Sequence, residues 1–211
     1  MSSERLVEEL SLQIADRRVL AAIAAVPRDL FVPANLRAEA WANTSLPIGH
    51  GQTISQPTVV ARMCELLELG GDEKVLDVGT GSGYHAAVLA RLAQRVISIE
   101  RHQALSRTAR KALDAAGIDN VELVVGDGTE GYAEQAPYDA INVAAGSRHG
   151  VPAALIDQLA DGGRLVLPLD GGSQRLTRMR RRGGELEYSE HEAVRFVPLV
   201  SGKRSRRSGR A

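Results

Sequence analysis

A single cysteine, Cys64, stands among 211 residues, so neither an intrachain disulfide nor a cysteine cluster for zinc can form. It falls in the run from Val59 to Leu67, where the helical period points it at the core as a small buried apolar residue. Aromatic residues make up only 3%, which leaves few platforms on which nucleic-acid bases could stack. Apolar runs never approach the roughly 20 residues needed to span a bilayer. The first residues, Met1 to Gln13, are interrupted by Glu4, Arg5, Glu8 and Glu9. A secretory signal would not tolerate them, and a cytoplasmic location is expected. Nor is there an excess of either charge, with 26 Lys and Arg against 26 Asp and Glu. Arginines do crowd at Arg175, Arg178, Arg180, Arg181 and Arg182, and again with Lys203, Arg204, Arg206, Arg207 and Arg210. Such clusters can neutralise phosphates, but residues 202–211 have the Ser, Gly and Arg makeup of a solvated, disordered tail. No nucleic-acid partner is expected. The histidines His50, His85, His102, His149 and His191 lack the i,i+3 or i,i+4 spacing that puts two ligands on one helix face, and no metal site is expected.

What is present is an ordinary globular composition, 44% hydrophobic and 25% charged, in a length that favours one domain. The pattern predicts a single domain over residues 1–201. Within it, 1–70 form a helical segment, 71–170 a ligand-binding core and 171–201 closing strands. The apolar residues Leu6, Leu10, Ile14, Val19 and Ile23 predict a helix from Arg5 to Ala25, ended by Pro27. A loop rich in Gly, Pro, Thr and Ser is predicted from Asn43 to Pro57, with Pro57 in the first turn of a helix reaching about Leu69. From Lys74 onward short apolar strands alternate with helices. Strands are predicted at 74–78, 95–99, 121–125, 138–143 and 164–168, with helices at 83–93, 103–116 and 152–159 between them. This alternation predicts a doubly wound α/β fold, a mostly parallel sheet covered on both faces. After Asp170 the helices stop, and 174–179, 185–188 and 193–199 are predicted as antiparallel closing strands.

The sharpest signal is Val75-Leu76-Asp77-Val78-Gly79-Thr80-Gly81-Ser82-Gly83, a strand running through glycines into a helix. Glycine permits positive φ and close approach of a ligand to the main chain, and the end of a first strand is where nucleotide-like ligands sit. A dinucleotide site wants Gly-x-Gly-x-x-Gly, but the sixth position is Tyr84. Glu100 ends the second strand, 21 positions after Gly79, where a carboxylate can accept hydrogen bonds from two ribose hydroxyls. Gly126-Asp127-Gly128 ends the third. Each piece alone is an ordinary turn; together they line the sheet edge at which open α/β folds bind ligands.

Gly79-x-Gly81-x-Gly83 after Asp77 resembles the first motif of class I methyltransferases, which implies a Rossmann-like methyltransferase fold and S-adenosyl-L-methionine as donor, with S-adenosyl-L-homocysteine as product. Further resemblance is more specific. Val26-Pro27-Arg28-Asp29-Leu30-Phe31-Val32-Pro33 and Leu46-Pro47-Ile48-Gly49-His50-Gly51-Gln52-Thr53-Ile54-Ser55-Gln56-Pro57 resemble the signature of protein-L-isoaspartate O-methyltransferases. The likeness continues through Val125 to Gly128, Ala136 to Ile141, Gly162 to Val166 and Phe196 to Leu199. The resemblance implies methyl transfer to the free carboxylate of L-isoaspartyl residues in damaged proteins, initiating repair through a succinimide. It implies Ser55 as the active-site residue, Thr53, Ile54 and Ser55 as substrate-binding, and Thr53, Ser55, Asp77, Gly79, Thr80, Gly81, Gly83, Glu100, Arg101, Gly126, Asp127, Gly128 and Gln174 as cofactor-binding. Read without the resemblance, Ser55 before Pro57 is a helix N-cap.

One stretch departs from that pattern. Ala144-Ala145-Gly146-Ser147-Arg148-His149-Gly150-Val151-Pro152 is one residue longer than the family's usual run of small residues. The plain reading is a tolerated surface-loop change. Two alternatives to repair are a relative dedicated to an aspartate in one peptide, with Arg148 pairing an acidic group, and a cofactor-binding regulator without catalysis. Peptides and damaged proteins are the expected partners of a monomer.

Overall fold

The computed structural model describes residues 2–202. Its centre is a seven-stranded sheet in the order β5-β4-β3-β6-β7-β8-β9. Strands β3 (Lys74–Val78), β4 (Arg95–Glu100), β5 (Val121–Val125), β6 (Tyr138–Val143) and β7 (Leu159–Asp170) run parallel, while β8 (Gln174–Arg182) and β9 (Glu185–Ala193) close the sheet antiparallel. The Rossmann-like fold with antiparallel closing strands is the predicted one.

Alternation along each strand builds two cores, because successive side chains leave opposite faces of a sheet. Val75, Val96, Ala140 and Val166 share a core with α3 (Pro57–Leu67), α4 (Tyr84–Ala90) and α5 (Gln103–Ala115), which pack on the sheet, and with α1 (Ser3–Leu10) and α2 (Arg17–Ala25), which pack on α3 and α4. Their neighbours Leu76, Ile97, Ile141 and Leu165 face the other way, toward Leu155 of α6 (Ala153–Asp157). Full burial of one such aliphatic side chain contributes about 1.5–3 kcal/mol, so both layers are held by the same alternating pattern.

The N-terminal segment differs from expectation. The predicted helix over 5–25 is two helices. Asp16 caps α2 by accepting from the Arg18 N–H at 2.8 Å, and Glu65 of α3 accepts from the Ala15 and Asp16 N–H groups at 2.7 and 3.0 Å. An apolar period of three to five residues bridged the break, because Ile14 is buried on the same side as both helices. Two 3₁₀ turns, Arg28–Phe31 and Ala34–Glu39, follow. The predicted loop from Asn43 to Pro57 contains an antiparallel hairpin of β1 (Leu46–Gly49) and β2 (Gln52–Ile54). Pro57 does open α3, but Ser55 does not cap it: the N-cap is Gln56. The Thr58 N–H instead finds Asn43 Oδ1 at 3.1 Å.

At the C-terminal end, the predicted strand 185–188 is the start of a longer β9, whereas the predicted strand 193–199 leaves the sheet after Ala193 and is an extended strap over 194–200 with an isolated bridge, Gly146 to Pro198. The strap crosses the carboxyl ends of the parallel strands. Strand order reverses beside β3, with β4 on one side and β6 on the other, and at such a switch point the connections diverge and leave a crevice. No helix among the described residues is long and apolar enough to cross a membrane. The basic tail from Lys203 lies outside the described residues.

Candidate active site

A cavity of about 380 Å³ occupies that crevice, within the size range of small-molecule sites. Its floor is the turn after β3. Gly79 and Gly81 have φ of 95° and 55°, backbone that side chains resist, and the Gly79 and Thr80 N–H groups both donate to the Ile99 carbonyl at 2.9 and 3.2 Å. The loop is thereby fixed to β4. Gly128 lies against Val78, with no room for a Cβ between them.

Glu100 sits at the end of β4, only 5% exposed. One carboxylate oxygen accepts from the Gly81 N–H at 2.9 Å and the other from the His102 N–H at 2.8 Å. Each oxygen keeps a further lone pair for a ligand hydroxyl. Above the loop, the β1–β2 hairpin brings Ile48 close to Gly81 and stacks His50 on His102, with ring centroids 5.5 Å apart. Val78, Ile99 and Leu199 supply apolar wall.

Beneath the cavity lies a buried polar network. Asp77, with no exposure, accepts from Ser98 Oγ and Asn142 Nδ2, each at 2.7 Å. Burial raises its pKa, against the lowering effect of those two hydrogen bonds. Asn142 Nδ2 also approaches His85 Nδ1 at 3.3 Å, and His85 Nε2 lies 3.6 Å from Cys64 Sγ. Burial pushes the His85 pKa down to about 3, so the imidazole that lines the cavity carries no charge at neutral pH.

A second cavity, of about 430 Å³, opens on the other side of Thr53 and Ser55. Thr53, Ser55, Ala144 and Val197 line both cavities. The Ser55 hydroxyl is half-buried and makes no hydrogen bond to another described residue, so its donor is available at the junction.

The strap lines part of both spaces. Gln174 holds it with both ends of its amide: Oε1 accepts from the Phe196 N–H at 2.7 Å and Nε2 donates to the Phe196 carbonyl at 3.3 Å. Gly146 N–H donates to the Val197 carbonyl, and the Leu199 N–H donates to the Gly146 carbonyl, both at 2.8 Å. Arg101 donates to the Val200 and Gly202 carbonyls at 3.1 and 3.3 Å, and Asp127 accepts from the Gly202 N–H.

Of the residues singled out in the sequence, Thr53, Ile54, Ser55, Gly79, Thr80, Gly81, Glu100, Arg101 and Gly128 line the first cavity. Asp77, Gly83, Gly126, Asp127 and Gln174 do not. Asp77 ties three strands together under the floor, Gly83 packs α4 on Ala109 of α5, and Gly126 donates to the Glu100 carbonyl. Asp127 and Gln174 hold the strap. Arg148 lines neither cavity; it is exposed and lies 3.8 Å from Asp170. Lining residues assigned no role from the sequence include His50, which lies within the Leu46 to Pro57 stretch, and His102, His85 and Val200, which lie in none of the stretches compared. Long-range folding brings them there, beside Val197, Pro198 and Leu199 of the Phe196 to Leu199 stretch.

The comparisons with known proteins agree with this geometry. The family model described as protein-L-isoaspartate(D-aspartate) O-methyltransferase matches residues 1–204. A protein-L-isoaspartate O-methyltransferase of Halorhodospira halophila (strain DSM 244 / SL1) is 55% identical over 203 residues, covering 95% of this chain and 92% of its own. A solved protein-L-isoaspartate O-methyltransferase superposes with a TM-score of 0.85 at 28% identity, over 96% of this chain and 67% of the other. A Plasmodium falciparum structure described as a candidate enzyme of the same name, in complex with S-adenosyl-L-homocysteine, gives 0.81 at 26% identity over 95% and 99%. A whole-length match in sequence, joined to a donor-type crevice that opens onto Ser55, makes the chain a member of the protein-L-isoaspartate(D-aspartate) O-methyltransferase family.

Proposed function

We propose that this protein transfers a methyl group from S-adenosyl-L-methionine to the free carboxylate of L-isoaspartyl residues in peptides and damaged proteins, the step that opens repair through a succinimide. The observation that carries the reading is the meeting of two cavities at Thr53, Ser55 and Ala144. One fits a nucleoside joined to an amino acid, with Glu100 for the ribose and the Gly79–Gly81 loop for the amino-acid end. The other is open to a peptide.

When bound, the donor supplies a sulfonium-activated methyl. The rest of the mechanism belongs to the chain. An isoaspartyl carboxylate has an ordinary pKa of about 4 and is ionised at neutral pH, so the site needs no general base, and none stands at the junction. Ser55 and Thr53 present hydroxyls that can donate to one carboxylate oxygen and leave the other aimed across the junction. Glu100 and the glycine loop fix the opposite side. Alignment of this kind can contribute roughly 7–11 kcal/mol. The neutral His85 adds no positive charge beside a cationic donor, and the strap walls part of both spaces.

Asp77, Gly83, Gly126, Asp127, Gln174 and Arg101 act in this reading as supports of the donor site. Residues 1–70 form the acceptor side, 71–170 the donor core and 171–201 the closing strands. The enzyme works as a cytoplasmic monomer without nucleic acid. A panel of isoaspartyl peptides of unrelated sequence tests the proposal. Transfer to most of them is expected; transfer to one sequence alone indicates a dedicated acceptor, and transfer to none overturns it.

A further inference from the structure

The second cavity is lined by hydroxyls, an amide and apolar groups, among them Ser45, Gln56, Val59 and Phe196, and by one ionisable side chain, Arg195. Arg195 is exposed and makes no ion pair or side-chain hydrogen bond to another described residue. The nearby carboxylates are already engaged: Glu192 lies 3.1 Å from Arg62 and Glu190 lies 3.6 Å from Arg175. No carboxylate lines the cavity itself. An uncompensated cation at the mouth of an acceptor space, with no anion facing it, favours an acidic visitor.

We infer that Arg195 is a specificity-determining residue that pairs with an aspartate or glutamate side chain next to the isoaspartyl residue, so that this enzyme prefers acidic flanking sequence. The inference rests on the acceptor assignment above. Arg195 lines only the second cavity, whereas the reacting carboxylate must reach the junction at Ser55. Its effect therefore falls on binding rather than on the chemical step. An exposed ion pair is modest and screened by salt; a two- to fivefold difference in KM, on the order of such a pair, is expected.

The test uses the full-length protein and two pairs of isoaspartyl hexapeptides, each pair identical except for Glu or Gln directly before or directly after the isoaspartyl residue. The native enzyme should show the lower KM for the Glu peptide of at least one pair, with kcat equal within the pair. High salt should erase the difference. Arg195→Gln should abolish it by raising KM for the Glu peptides to that for the Gln peptides, and Arg195→Lys should keep part of it. An unchanged Glu-to-Gln ratio in Arg195→Gln would overturn the inference, as would a uniform loss of kcat, which would place Arg195 on the reacting carboxylate instead. Absence of transfer to all of the peptides would overturn the acceptor reading and this inference with it.

Discussion

At the scale of single residues, Ser55, at the junction, and Glu100, in the first cavity, have different duties under the proposed function. The Ser55 hydroxyl has no hydrogen-bond partner among the described residues, so Ser55→Ala should leave the fold and donor affinity intact. It should lower kcat by about tenfold to a hundredfold, the worth of roughly 1.5–3 kcal/mol for a hydrogen bond to a charged group. A loss below a few fold would deny it an orienting role. Glu100→Gln should do the reverse, raising KM for S-adenosyl-L-methionine about tenfold with a small effect on kcat, since it weakens binding that is uniform along the reaction. Steady-state kinetics in both substrates separates the two. Much of this was legible in the sequence, because glycine turns and a carboxylate at a strand end are local features. Asp77 and Asp127 were less legible: motif position places a carboxylate near a ligand, but only the fold reveals that Ser98 and Asn142, or the Gly202 N–H, already occupy it.

At the scale of elements, the strap decides how far the donor and acceptor sites act as one. Residues 194–200 gain little from strand pairing and are held instead by Gln174, Gly146 and Arg101. Gln174→Ala removes both amide contacts to Phe196 and should speed hydrogen exchange over 194–200. Because Val197 lines both cavities, KM should rise several-fold for donor and peptide alike. A rise for one only would show that the strap serves a single site. Apolar alternation predicted the parallel strands closely, yet it could not foresee that Val194 to Leu199, as apolar as a strand, runs free of the sheet. The β1–β2 hairpin was hidden for the opposite reason: Pro47, Gly49 and Gly51 give it a loop's composition. The break at Asp16 was disguised by Ile14, which keeps the apolar rhythm of the helices through a turn.

For the whole molecule, the network under the cavity links stability to pH. Burial holds the His85 pKa at about 3, far below the ordinary value of about 6.5. Between those values the unfolded chain binds more protons than the folded one, so the contribution of His85 is present above about pH 6.5 and falls as pH drops toward 3. Asp77, raised by burial, contributes in the opposite sense, losing stability as pH rises through the interval above its ordinary value. Thermal unfolding of His85→Gln should therefore show a flatter acid limb than the native protein, and an unchanged limb would remove His85 from the cause. Both faces of the sheet, the switch point beside β3 and the strap all converge on a single junction at Thr53 and Ser55. That convergence is tested most directly by transfer of a labelled methyl group from S-adenosyl-L-methionine to a short isoaspartyl peptide, beside the same peptide with normal aspartate. Label should enter the isoaspartyl peptide alone; equal labelling of both peptides, or none with the donor still bound, would contradict the assignment.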